Sequence, residues 1–179
     1  VAQALRFDFE DGVQVVELAP LADAGLVASA VARVLGIPEK PGQSLSTTLG
    51  RWLRSRHLLL VLDNFEHVLD AAPLVAEWLA AGPGLTALIT SRAPLRLRAE
   101  RQVSVAPLSH EAAMRLFGER AGAAQPGFAL TAENAVAVAA LCDQVDRLPL
   151  SIELIAGRAR SFSPNELLVL LEQPLEALA

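Results

Sequence analysis

The sequence predicts an α/β fold in its first part and an all-helical fold in its second, and three observations carry that reading. His57-Leu58-Leu59-Leu60-Val61-Leu62-Asp63-Asn64 sets five consecutive aliphatic residues before a carboxylate. A strand buried on both faces of a sheet reads as such an unbroken apolar run. Strand-like segments alternate with helix-like ones as far as Thr90, which argues for βαβ units and a parallel sheet with right-handed crossovers. Beyond Pro107 only helical periodicity remains. A domain boundary is therefore placed there, with 1–107 as the α/β part and 108–179 as the helical part.

Taken in order, Val1 to Phe9 reads as the tail of a helix entering a turn at Glu10-Asp11-Gly12, because Asp-Gly is a turn dipeptide. Val13 to Leu18 is a β-branched strand, and Asp23 is placed to cap a helix that stops at Gly36. After the Pro- and Gly-rich residues 38–42, Ser44 opens a second helix with Leu45, Leu49, Trp52 and Leu53 on one face. That helix leads into the Leu58–Leu62 strand. Val68 to Ala81 predicts a helix interrupted or restarted near Pro73 and ended by Gly82-Pro83-Gly84. Leu85 to Thr90 is the next strand, with Ser91-Arg92 directly after it, and Gln102 to Val105 reads as a further short strand. Four helices complete the chain: Ser109–Gly122, Thr131–Val145, Leu148–Ser161 and Ser163–Leu171. Ser163 and Glu166 have full capping-box spacing, and Thr131 with Asn134 has a looser version of it.

With 179 residues, 53% hydrophobic and 20% charged, the chain can bury a substantial core. A formal charge of −5 gives no general attraction to nucleic acid or anionic lipid. The single cysteine, Cys142, has no disulfide partner within the chain and sits in an apolar helical run, where it reads as a small core residue. Neither a signal peptide nor an apolar stretch of membrane-spanning length is visible, so the expected location is cytoplasmic with no membrane partner. Trp52 and Trp78 lie at helical spacing with leucines and read as core. His57, His67 and His110 have no metal-ligand spacing with Cys142 or with paired acids.

In open α/β sheets ligands bind at the carboxyl ends of the strands, which singles out Asp63 and Arg92. As a strand-end residue Asp63 has a bland alternative, capping the helix that follows. Arg92 has one too, as a surface arginine in the basic segment Arg92, Arg96, Arg98, Arg101. That segment lacks interleaved aromatics in an acidic chain, so no direct nucleic-acid contact is expected from it. No nucleophile or acid–base constellation supports a simple metabolic enzyme.

Asp63-Asn64-Phe65-Glu66 after its apolar run, then Leu88-Ile89-Thr90-Ser91-Arg92, then Val103 to Leu108, then Leu148-Pro149-Leu150-Ser151-Ile152-Glu153, follow one another in this order. The series resembles the STAND class of signalling P-loop ATPases, close to the NB-ARC proteins and to the ATPase region of large bacterial transcriptional regulators. The resemblance covers nearly the whole chain. It implies that Asp63 is the Walker B acid, the catalytic carboxylate that holds Mg²⁺ through water beside the phosphates of ATP or ADP. Asn64 then occupies the place of a second acid in many related ATPases, and since an amide cannot accept a proton, hydrolysis is expected to be slow, as suits a switch. Glu66 is the nearest alternative base but is expected to enter the next helix in a capping or solvent role. Arg92 matches the sensor arginine that reads the γ-phosphate. Leu148-Pro149-Leu150 matches a G-L-P-L motif whose proline packs near adenine; Arg147 stands in place of the glycine, which removes a residue suited to positive φ. Pro149 also needs no ligand to explain it, since proline is common in the first turn of a helix.

The same resemblance implies an α/β P-loop NTPase core that lacks its first strand and its P-loop, followed by a small all-α domain. No G-x-x-x-x-G-K-[ST] occurs in the sequence, and its only lysine, Lys40, lies in a loop-like stretch. Val1 to Leu5 would be the end of the helix that begins at the P-loop, and the missing strand would lie between the Leu85–Thr90 strand and the Val103 strand. The expected protein is thus a fragment of an ATP/ADP-dependent signalling switch, with other domains of the same polypeptide as partners and self-association left open. Alone, the chain is not expected to bind nucleotide tightly. The alternative is a non-enzymatic interaction scaffold derived from the same fold.

Overall fold

The computed structural model describes residues 4–40 and 42–172. It divides into two compact units, Val1–Gln102 and Val103–Ala179. The beginning of the expected N-terminal helix tail, residues 1–3, lies outside the described residues. Residues 4–8 form turns, closed by the Asp8 N–H on the Leu5 carbonyl, and not a helical end. A segment this short cannot offset the cost of helix nucleation by itself.

The first unit is built on three parallel strands, β1 (Val13–Glu17), β2 (Leu58–Asp63) and β3 (Leu85–Ile89), with β2 in the centre. The register sets Glu17 beside Asp63 and Ile89 beside Leu62, so all three strands end at one edge. The five aliphatic residues of β2 are all buried. Leu58, Leu60 and Leu62 share a core with Val16, Leu18 and Leu85 and with residues of α1 (Val27–Val34), α2 (Leu45–Leu53) and α3 (Ala72–Ala81). Each fully buried leucine contributes roughly 1.5–3 kcal/mol.

Local signals start and stop these helices. The Asp23 carboxylate accepts the Gly25 N–H at 2.8 Å at the head of a 3₁₀ turn, Ala24–Leu26, that runs into α1. Gly36, at φ +69°, ends the helix with a paired closure in which the Gly36 N–H reaches the Arg33 carbonyl and the Ile37 N–H reaches that of Ala32. Ser44 caps α2 by accepting the Thr47 N–H. The expected break ahead of α3 is present: a 3₁₀ segment, Phe65–Ala71, kinks at Val68 before Pro73 opens the α-helix. Gly82 and Gly84 let the chain pass close to its neighbours. A Cβ on Gly82 would lie 2.8 Å from the Leu53 carbonyl oxygen, and one on Gly84 would collide with that of Arg56.

Gln102 to Val105 is not a strand. Val103 is 85% and Val105 95% exposed, and among the described residues no strand lies beside them. Their β-branched side chains express a preference for a pleated, half-buried surface, and with no neighbouring strand that preference has nothing to act on.

The second unit contains α4 (His110–Ala124), α5 (Ala135–Gln144), α6 (Pro149–Ala156) and α7 (Pro164–Glu172). Phe117, Val138, Leu141, Ile152 and Leu167 form its core, with Ala113, Ala121 and Ala156 permitting close helix approach. Ser163 and Glu166 make the full capping box: the Glu166 carboxylate accepts the Ser163 N–H at 2.7 Å, and the Glu166 N–H reaches the Ser163 hydroxyl. α5 begins at Ala135 and not at Thr131. The Asn134 side chain bonds the Thr131 N–H and the Ala129 carbonyl, which holds residues 131–134 as a turn. Among the described residues no helix is long and apolar enough to cross a membrane.

Candidate functional site

The carboxyl edge of the sheet is organised by one hydroxyl. Thr90, just beyond β3, donates through Oγ1 to the Asp63 carboxylate at 2.5 Å, and the same oxygen accepts the Asn64 N–H at 2.9 Å. The backbone reinforces the joint: the Phe65 N–H donates to the Thr90 carbonyl, the Thr90 N–H to that of Leu62, and the Leu18 N–H to that of Asp63. Asp63, the last residue of β2, is therefore held in place with its carboxylate partly open to solvent.

Asn64 makes the turn out of β2 in the left-handed region, at φ 62° and ψ 48°. Among residues other than glycine, asparagine is one of the few that enters this region at low cost. The turn sets the 3₁₀ segment so that Glu66 faces Arg92, with Arg92 Nε 3.5 Å from Glu66 Oε1. The Arg92 side chain is 91% exposed and that of Glu66 only 16%. Glu66 enters the next helix, as the sequence suggested, lying in the first turn of the 3₁₀ segment, and its partly buried carboxylate is also the counter-ion of Arg92. Its carboxyl lies below the usual carboxylate range, chiefly through its own backbone N–H. The Asn64 side chain and the Arg92 backbone N–H add to that effect, against partial desolvation.

Asp63, Asn64 and Arg92 therefore gather at one edge of the first unit. Pro149 belongs to the second unit, where it opens α6 in exposed surroundings between Leu148 and Leu150. Arg147 does not behave as its side chain predicted: it adopts φ 53°, directly after Asp146 at the same φ. The strain is held by a fixed network. Arg147 Nε donates to the Leu108 carbonyl at 3.1 Å, the Arg147 carbonyl accepts the Leu108 N–H, and a terminal guanidinium nitrogen lies 2.6 Å from Asp143.

Sequence reasoning did not single out Thr90 as the link between Asp63 and Asn64, nor Glu66 as the partner of Arg92. The one available signal for the first was a β-branched hydroxyl residue at a strand end two places before Arg92. A cleft of about 470 Å³ in the helical unit, bordered by Phe128, Thr131, Asn134, Arg160 and Ser163, was also not foreseen. Among the described residues, no group of three or more His, Cys, Asp and Glu side chains is arranged to hold a metal ion without help from a ligand.

No family model matches the sequence. Proteins of Mycobacterium tuberculosis and Mycobacterium bovis that carry the name HTH-type transcriptional regulator are 44% identical to it over 162 residues. The chain is homologous to part of those regulators. The match takes in 89% of this chain but only 18% of theirs. Uncharacterized proteins from the same two species are 36% identical over 170 residues, which is 94% of this chain and 43% of theirs.

Proposed function

We propose that the chain is the greater part of an ATP/ADP-responsive switch of the STAND P-loop class within a bacterial transcriptional regulator. The carrying observation is that Asp63, bonded to Thr90, and Arg92, paired with Glu66, both lie at the carboxyl edge of a parallel sheet. Similarity to the mycobacterial regulators supports the regulatory setting.

The donor set fits a Mg–nucleotide in one respect. Mg²⁺ in such sites is bound through one or two carboxylates together with waters and substrate phosphates, and Asp63 is a single, braced, half-open carboxylate. In this reading Asp63 would hold Mg²⁺, which when bound would neutralise phosphate charge. Arg92 offers its guanidinium fork to the terminal phosphate. The Asn64 side chain can orient a water but cannot take its proton. Turnover is accordingly slow, and the bound nucleotide acts as a signal. The phosphate cradle, which supplies most nucleotide affinity through backbone amides and a lysine, is not among these 179 residues.

A second reading is a scaffold that kept the fold and does not use nucleotide. It is favoured by Arg147 at the expected glycine. Titration calorimetry separates the two. The 179-residue chain should show no binding of Mg-ATP or ADP at tens of micromolar, whereas the full-length polypeptide should bind and should lose that binding with Asp63→Ala. Tight, saturable binding by the isolated chain, or unchanged binding by the full-length Asp63→Ala protein, would overturn the switch reading.

A further inference from the structure

The segment that follows β3 carries four arginines and one glutamate between Ser91 and Arg101. It has no regular secondary structure, yet it is braced throughout. The Glu100 carboxylate accepts the Leu95 N–H at 3.2 Å on one oxygen and the Leu97 N–H at 3.1 Å on the other. Ser91 Oγ closes a turn with both backbone groups of Ala93. Leu95 and Leu97 pack against the core of the first unit, and the arginines that alternate with them, Arg96 and Arg98, are exposed. Arg96 stands at φ 59°, a conformation uncommon for its type.

This geometry changes what the local charge can do. The only acid in the segment is engaged with its own backbone. Among the described residues Arg92 pairs with Glu66, and no acid lies within ion-pairing distance of Arg96, Arg98 or Arg101. Three exposed guanidinium groups are thus presented without counter-ions on a loop whose ordering cost has been met by folding, which is the condition under which a charged contact gains most on binding.

We propose that this loop docks on the phosphate backbone of duplex DNA, as an auxiliary, sequence-indifferent contact. The proposal rests on the regulatory setting argued above, and it departs from the expectation that composition alone gives for this segment. Guanidinium forks suit phosphate oxygens. The loop carries no aromatic side chain on which unpaired bases would stack, and its leucines face inward and leave no apolar wedge for a lipid surface. In a chain of net charge −5 the contact is weak by itself. It becomes effective when another part of the same polypeptide holds the duplex nearby at high local concentration.

The test uses the 179-residue chain and a fluorescently labelled mixed-sequence duplex, with anisotropy followed between about 20 and 150 mM salt. Weak binding is expected, with log K falling against log salt at a slope of about −2.7 for three phosphate contacts. The combined Arg96→Gln, Arg98→Gln, Arg101→Gln variant should lose at least tenfold in affinity at low salt and bring the slope toward zero. Its circular dichroism should match that of the parent chain. If that variant does not fold, Arg98→Gln alone should reduce the slope by about one. Absence of duplex binding at low salt, binding untouched by these substitutions, or equal competition by polyglutamate would overturn the proposal, the last by pointing to an acidic protein partner. No nucleotide enters this measurement and no DNA enters the calorimetry, so the two readings fail separately.

Discussion

Thr90 ties two strand ends together with one oxygen, and its removal should be measurable. Thr90→Val keeps the shape but leaves the Asp63 carboxylate and the Asn64 N–H without their partner. The site is open to solvent, so the expected loss is about 1 kcal/mol, below the usual range for a hydrogen bond to a charged group, read as a lowered urea midpoint with unchanged slope. Asn64 supports a paired comparison. Asn64→Gly should be nearly neutral, whereas Asn64→Ala should cost about 1 kcal/mol, because only the second places an unsupported Cβ in the left-handed region. An equal loss in both would show that the Asn64 side chain and not its backbone angle matters. Cys142 is buried against the helical core, and burial, with the Asp143 charge added, pushes its thiol up to about 11. Thiol-specific reagents at pH 8 should therefore modify it only at the rate at which the helical unit opens, with full reactivity returning in denaturant.

At the level of elements, the helix starts and close chain crossings are the sensitive points. Ser163→Ala removes the hydroxyl that the Glu166 N–H reaches and one of the two groups bonded to the Glu166 carboxylate, so α7 should lose about 1 kcal/mol. The Ser163 N–H, followed by its hydroxyl, holds the Glu166 carboxyl below its ordinary value of 4.5. With a depressed folded-state value, the stabilisation is fully present above pH 4.5 and is lost as the pH falls through the folded-state value. Unfolding measured from pH 7 down to pH 3 should show this acid limb diminished in Glu166→Gln, and an identical limb in both proteins would assign it to other carboxylates. Gly84→Ala would force β3 away from the Arg56 carbonyl where β2 begins. A cost of about 2–3 kcal/mol is expected, as for overpacking at a rigid site.

For the whole molecule, the two compact units meet in sequence at an exposed, irregular stretch after Arg101. Brief trypsin treatment should cut first at Arg101, ahead of the arginines within helices, because cleavage needs locally extended, accessible backbone. Early cleavage at Arg51 or Arg115, both within helices, would show that the units are less stable than the link between them.

What the sequence by itself determined is the content that depends on local chemistry: the buried β2 run, the βαβ alternation, the caps at Ser44 and Ser163 and the stop at Gly36. Their causes act within a few residues, so they can be read without a partner. Only the tertiary structure decided the rest. Gln102 to Val105 has strand-like residues but no neighbour to form a ladder with, and β preference is realised by a neighbour. Glu66 reads as a residue passing into a helix and lies in one, but its pairing with Arg92 arises only from the left-handed turn at Asn64. Arg147 looked unsuited to positive φ until Leu108 and Asp143 held it there. The link from Thr90 to Asp63 spans 27 positions. No local rule spans that distance; it is created by strand register, which places β3 beside β2.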